Sequence, residues 1–244
     1  FLSQPLVVQA TAHLTSGADD FLAGLLGLPQ PAQRGALAGE DLVAGAAIAG
    51  LGLVGSKTLQ ETRVRVHQDS TSETSAPEGY RDLISRIPRA DEGASQIRIE
   101  HYESGYVVYL SGTIDAGVEP TNEPWDMTSN ISAIAELDSG SYNAAVQAMR
   151  EAGISAEDNV IVVGHSQGGL VAAQLAASGD YRVSDVVTVG APLHQVDIPE
   201  EVNVIAVEHA EDVIPSLSGV AVPAATAAHL TVTRSLYSTA QAPR

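Results

Sequence analysis

From residue 62 onward the chain alternates between short apolar runs of strand character and longer stretches whose apolar positions recur at helical spacing. Residues 63–67 and 96–102 show period-two alternation, the pattern of strands with one buried face. Residues 79–87 suit a short helix ended by Pro88, because proline has no amide to donate and its ring crowds the preceding turn. Residues 106–110 are a β-rich run, residues 142–152 a helix, and residues 185–189 and 202–207 two further apolar runs that each end at a polar turn. Strands separated by helices predict an α/β domain over residues 61–244, with a mostly parallel central sheet and helices on both faces. In such a sheet functional groups gather at the carboxyl ends of the strands.

One strand end stands apart. Asn159-Val160-Ile161-Val162-Val163 is an apolar run leading into Gly164-His165-Ser166-Gln167-Gly168-Gly169, a serine set between glycines in the order G-x-S-x-G. A Cβ at position 164 or 168 is expected to collide with the adjoining strand and helix, so glycine at both positions leaves room for a sharp turn that projects the Ser166 hydroxyl. Leu170, Val171, Gln174 and Leu175, with alanines between them, continue as a helical stripe until Ser178-Gly179. An ordinary glycine-rich connection accounts for the glycines but not for the complete strand–turn–helix pattern.

Composition agrees with an enzyme. With 244 residues and 44% apolar content the chain can bury a full core. Twelve Lys and Arg against 30 Asp and Glu give a formal charge of −18, which repels nucleic acid and anionic membrane surfaces and reads as a solvated acidic exterior. No apolar stretch reaches the roughly 18 residues of a membrane span. The absence of cysteine removes disulfides, thiol catalysis and cysteine metal sites together. The chain opens at Phe1 without a recognisable leader, so the expectation is a removed leader or a fragment, and a soluble protein with secretion favoured over the cytoplasm.

The first 60 residues differ in texture and are expected to form a helical N-terminal extension, broken at Pro29-Gln30-Pro31; no partner for it can be named. Residues 42–54 are almost wholly Ala, Gly, Leu, Val and Ile and hide two decoys. Gly50-Leu51-Gly52-Leu53-Val54-Gly55 satisfies G-x-G-x-x-G, but no β-branched strand precedes it and the next segment does not read as a helix. The following Ser56-Lys57-Thr58 nearly completes a phosphate loop, yet the extra serine displaces the lysine from the backbone nest. A small-residue helix packed on the body, or a cover over an apolar pocket, is the better reading.

The strand-end rule applied to Tyr106-Val107-Val108-Tyr109-Leu110-Ser111 leads to Gly112-Thr113. The backbone amide of Thr113, with that of Gln167, forms a candidate oxyanion hole; the alternative is a plain loop. In the order serine, acid, histidine, the acid belongs after the strand at 202–207, within Glu208-His209-Ala210-Glu211-Asp212-Val213-Ile214-Pro215. Asp212 is the choice, to accept from a histidine Nδ1 and fix its tautomer, while Glu208 and Glu211 read as solvated charge with either still open as the acid.

Taken together, Leu110-Ser111-Gly112-Thr113, Gly164-His165-Ser166-Gln167-Gly168-Gly169, Val189-Gly190-Ala191-Pro192 and His209-Ala210-Glu211-Asp212-Val213-Ile214-Pro215 resemble the α/β-hydrolase superfamily, nearest its class-three, fungal-type lipase branch. The likeness covers about residues 100–216. It implies Ser166 as nucleophile, Asp212 as acid, Thr113 and Gln167 as oxyanion donors, and His209 as the family's non-catalytic histidine. The departure lies near the C-terminus: only His229 follows Asp212, at the start of a β-like run, whereas the family carries its catalytic histidine in a loop after the last strand. Two readings follow, His229 as base in an altered loop or a missing C-terminal segment that carried the base. His165 is expected to pack under the elbow, and His13, His67, His101 and His194 lack metal-site spacing.

The implied chemistry is hydrolysis of carboxylic esters through a serine acyl-enzyme, with no metal or organic cofactor and a small-molecule or lipid ester as substrate. An acyltransferase or thioesterase on the same elbow is the first alternative. A catalytically impaired hydrolase-fold binding module is the second, favoured by the missing late histidine.

Overall fold

A computed structural model describes residues 63–115, 122–134, 139–193, 196–210 and 228–235. Asp212, the extension over 1–60 with its glycine-rich decoys, and Glu211 lie outside the described residues. The elements, in chain order, are α1 (Tyr80–Ser85), β1 (Ile97–Tyr102), β2 (Gly105–Leu110), α2 (Met127–Ile134), α3 (Gly140–Glu151), β3 (Asn159–His165), α4 (Gln167–Ser178), β4 (Arg182–Val189), β5 (Asn203–His209) and β6 (His229–Arg234). Among the described residues, six strands form one sheet in the order β1-β2-β3-β4-β5-β6. β1 and β2 are an antiparallel hairpin, and every later pair is parallel.

The central strands are buried on both faces, which is why β3 reads as an unbroken apolar run rather than an alternation. Val108, Val160, Val162 and Val186 point into the larger core, which α3 and α4 cover with Met149, Val171 and Leu175. Tyr109, Val163 and Val187 point to the opposite face, where Leu83 of α1 packs on them. Burying a side chain such as Leu175 completely contributes about 1.5–3 kcal/mol, so α4 is held to the sheet by its apolar content more than by helix propensity. α4 stops where Gly179 adopts φ 70°, the left-handed cap that glycine takes without strain. α3 starts where Ser139 Oγ accepts the Tyr142 amide at 3.2 Å.

A buried ion cluster ties the edge hairpin to α1. Arg86, one residue past the helix, donates to Glu100 Oε2 at 3.0 Å, to Asp82 Oδ2 at 2.7 Å and to the Ser75 carbonyl at 2.8 Å. Glu100 also accepts the Tyr102 and Tyr109 hydroxyls, each at 2.7 Å. Burial pushes the Glu100 pKa up, but the two tyrosine hydroxyls, Arg86 and the charge of Arg98 outweigh it and hold the carboxyl below the usual range.

One local expectation fails and one element goes uncalled, each for an identifiable reason. Residues 63–67 are no strand: burial does alternate there, and Val64 packs against the larger core, but the segment pairs with no described strand. Alternation reports a half-buried extended chain, and only a ladder makes it a sheet. α2 was not foreseen, because its sequence Met-Thr-Ser-Asn-Ile-Ser-Ala-Ile has no wide apolar stripe. It forms behind Asp126, whose Oδ1 accepts the Ser129 amide at 2.8 Å as an N-cap.

Candidate active site

β3 ends in a turn whose backbone is strained at one residue. Ser166 has φ 50° and ψ −117°, and it alone among the described non-glycine residues has positive φ. Such a conformation costs about 1–3 kcal/mol and persists only where surrounding structure enforces it. Here the enforcement is visible: the Ser166 amide donates to Val189 O at 2.9 Å, and the Ser166 carbonyl accepts from Gly169 at 2.9 Å and Leu170 at 3.2 Å. The glycines behave as the sequence requires. A Cβ on Gly164 would run into the Gly168 carbonyl, and one on Gly168 would meet the carbonyls of Ser111 and Leu110.

The turn after β2 lies beside this elbow. Leu110 pairs with Gly164, so Gly112 and Thr113 come level with Ser166. Trp125, fully buried, fastens the turn from below: its Nε1 donates to Ser111 O at 2.9 Å, and its carbonyl accepts both the Ile114 and Asp115 amides, at 2.8 and 3.1 Å. Those two amides are spent, whereas the Thr113 amide makes no hydrogen bond to a described residue. Gln167 is the first residue of α4, where an amide has no intrahelical acceptor and sits at the positive end of the helix dipole. An oxyanion hole requires two such donors beside the nucleophile.

Gln167 does more than its amide suggests. Its side chain is buried, with Nε2 donating to Ser141 Oγ at 3.1 Å and Asp126 O at 3.3 Å, while Oε1 has no partner among the described residues. This anchors the start of α4 to the starts of α2 and α3. Burial raises the Asp126 pKa and the charges of Asp115 and Glu123 add to that, although the Ser129 amide opposes them. The Gln167 side chain, Trp125, Asp126 and Asn130 carried no functional signal in the sequence beyond Trp125 being its only tryptophan.

The histidines are distributed differently from expectation. His229 opens β6 and pairs with Val204, whose row continues through Val186 to Val162. Ser166 lies four residues beyond Val162, which is about 13 Å along the strand direction, with three strand spacings of about 4.8 Å across the sheet besides. The register thus sets His229 at the amino end of the sheet and does not bring it to the elbow. His165, the last residue of β3, is exposed and not packed beneath the elbow; a Cβ on Gly112 would lie 2.6 Å from its Nδ1. His209 ends β5 at the same carboxyl edge as Ser166, with Nδ1 buried and unbonded among the described residues. The Ala210 amide still bonds to Arg234 O at 2.9 Å, so β5 keeps its pairing with β6 up to the carboxyl edge. His101 stacks on Tyr106 at the far hairpin.

No group of three or more metal-ligating side chains occurs among the described residues. No described helix is long and apolar enough to cross a membrane. Residues 136–212, a stretch that includes the elbow, match the family described as alpha/beta hydrolase fold. No curated protein and no solved structure matches the chain. With its mostly parallel six-stranded sheet and the strand–elbow–helix at its centre, the fold is that of an α/β-hydrolase.

Proposed function

From an α/β-hydrolase fold with an elbow at Ser166, we propose that this chain is a serine hydrolase acting on carboxylic esters. The observation that carries the reading is the strained Ser166 backbone, stitched to β4 and crowded by Gly164 and Gly168, near two amides, of Thr113 and Gln167, that have no acceptor among the described residues. An imidazole takes the Ser166 proton, Oγ attacks the ester carbonyl, and the Thr113 and Gln167 amides hold the oxyanion. Collapse expels the alcohol, which receives that proton; water then releases the acid and restores the serine. Asp212, in the segment that follows β5, orients the imidazole. The row His229 shares with Val162 argues against its being that imidazole; the base acts at the carboxyl edge. An ester with an apolar acyl or alcohol part, small or lipid, is the substrate class, by the likeness to class-three lipases.

The test combines fluorophosphonate labelling with turnover of a short-chain p-nitrophenyl ester. Wild type should label and turn over, Ser166→Ala should lose both, and His229→Ala should keep the wild-type rate. Full activity in Ser166→Ala would end the assignment. A second reading, a binding module with an impaired site, is favoured by the position of His229 alone, and a folded wild type that neither labels nor turns over decides for it. Competition of an added alcohol or thiol with water for the acyl-enzyme identifies a transferase or thioesterase.

A further inference from the structure

The Gln167 side chain lies between the supports of the two candidate oxyanion donors. One donor, the Gln167 amide, rides on the start of α4; the other, the Thr113 amide, rides on the turn after β2. That turn hangs from Trp125, whose indole donates to Ser111 O at 2.9 Å and whose carbonyl accepts the Ile114 and Asp115 amides. The next carbonyl along the chain, Asp126 O, accepts Gln167 Nε2 at 3.3 Å, and Ser141 Oγ at the start of α3 lies 3.1 Å from the same nitrogen. A main-chain carbonyl can only accept, so the side-chain nitrogen, and not Oε1, faces Asp126. The dipeptide Trp125-Asp126 thus holds the 111–115 turn on one side and the first residue of α4 on the other.

Stability does not account for the glutamine. The side chain is buried and its Oε1 has no partner among the described residues, an arrangement whose desolvation cost an apolar side chain of similar length avoids. Nor does Asp126 O depend on Gln167 for a partner, since it also accepts the Asn130 amide at 3.2 Å. We propose that the Gln167 side chain is a positioning residue that sets the separation of the two oxyanion donors: by clipping the start of α4 to Asp126 O, it holds its own backbone amide at a fixed reach from the Thr113 amide. This rests on the reading of Ser166 as nucleophile. Two amides spaced for the tetrahedral oxygen stabilise the transition state more than the planar ester, so slack between them lowers turnover and leaves substrate binding nearly unchanged.

Gln167→Met tests this, because methionine is a comparable helix former and keeps the backbone amide while losing both side-chain hydrogen bonds. Steady-state hydrolysis of a p-nitrophenyl ester should show kcat lowered about three- to tenfold with KM little changed, the pattern of an interaction made only in the transition state. Affinity for a trifluoromethyl ketone, whose tetrahedral adduct with serine carries the oxyanion, should fall by about the same factor. Thermal melting should stay near that of wild type. If Gln167→Met melts far below wild type, Gln167→Glu assayed at pH 8 takes its place, since a carboxylate keeps Oε1 and loses the donor, and it should show the same losses. A wild-type kcat in the folded variant, a loss confined to KM, or an unchanged ketone affinity overturns the proposal, while fluorophosphonate labelling of Ser166 leaves the hydrolase reading standing. A folded wild type that neither labels nor hydrolyses overturns both.

Discussion

The α-carbon of Gly168 stands against the main chain of Ser111, so close that a methyl there would strike the Ser111 and Leu110 carbonyls. Two separate structures meet at this point: the first turn of α4 behind the nucleophile, and the end of β2 from which the candidate oxyanion turn departs. Neither side is a flexible side chain that can move aside. Gly168→Ala is therefore expected to destabilise the protein by about 1–3 kcal/mol, the usual cost of overpacking, and to lower ester hydrolysis by pushing the 110–113 turn away from Ser166. Thermal melting and the ester assay on the same preparation check this. Unchanged melting and rate would mean that the close approach is not kept in solution.

Strain at Ser166 makes a second prediction. Serine and alanine both carry a Cβ at φ 50°, whereas glycine adopts this region freely. Ser166→Gly should be more stable than Ser166→Ala by about 1 kcal/mol, the 1–3 kcal/mol of released strain less the added chain entropy of glycine. Both variants should be inactive. Equal melting of the two would show that the turn stores no strain.

Acid titration separates two buried carboxyl groups whose pKa values are shifted in opposite directions. Glu100 has its folded-state pKa depressed, so its contribution to stability is complete above the ordinary carboxylate value and is lost as pH falls through the folded one. Asp126 has its folded-state pKa raised by burial, so the protein loses stability as pH rises from the unfolded value through the folded one. Asn caps a helix as well as Asp does. Asp126→Asn should accordingly be more stable than wild type at neutral pH, with the difference closing below about pH 3.9, where the unfolded aspartate is also protonated. Melting curves between pH 3 and 8 measure the gap. One that stays constant with pH, or that favours wild type at pH 7, would contradict the assigned direction.

The sequence alone determined the elements that depend on local rules. The elbow was legible because a serine at positive φ, pressed between strand and helix, tolerates only glycine at positions 164 and 168, and that demand is written in the residues themselves. The parallel core strands were legible because burial on both faces removes alternation, and the helix after the elbow because its apolar stripe runs without interruption to Gly179. Tertiary structure decided what depends on pairing and register. A β-like run at 229–234 says nothing of which end faces Ser166; the ladder from His229 through Val204 and Val186 to Val162 does, because each paired residue fixes its neighbour's height on the sheet. The same holds for Asn130 against Thr113 and for Gln167 between Asp126 and Ser141: these partners lie 17, 41 and 26 residues apart, and no local pattern encodes a hydrogen bond between them.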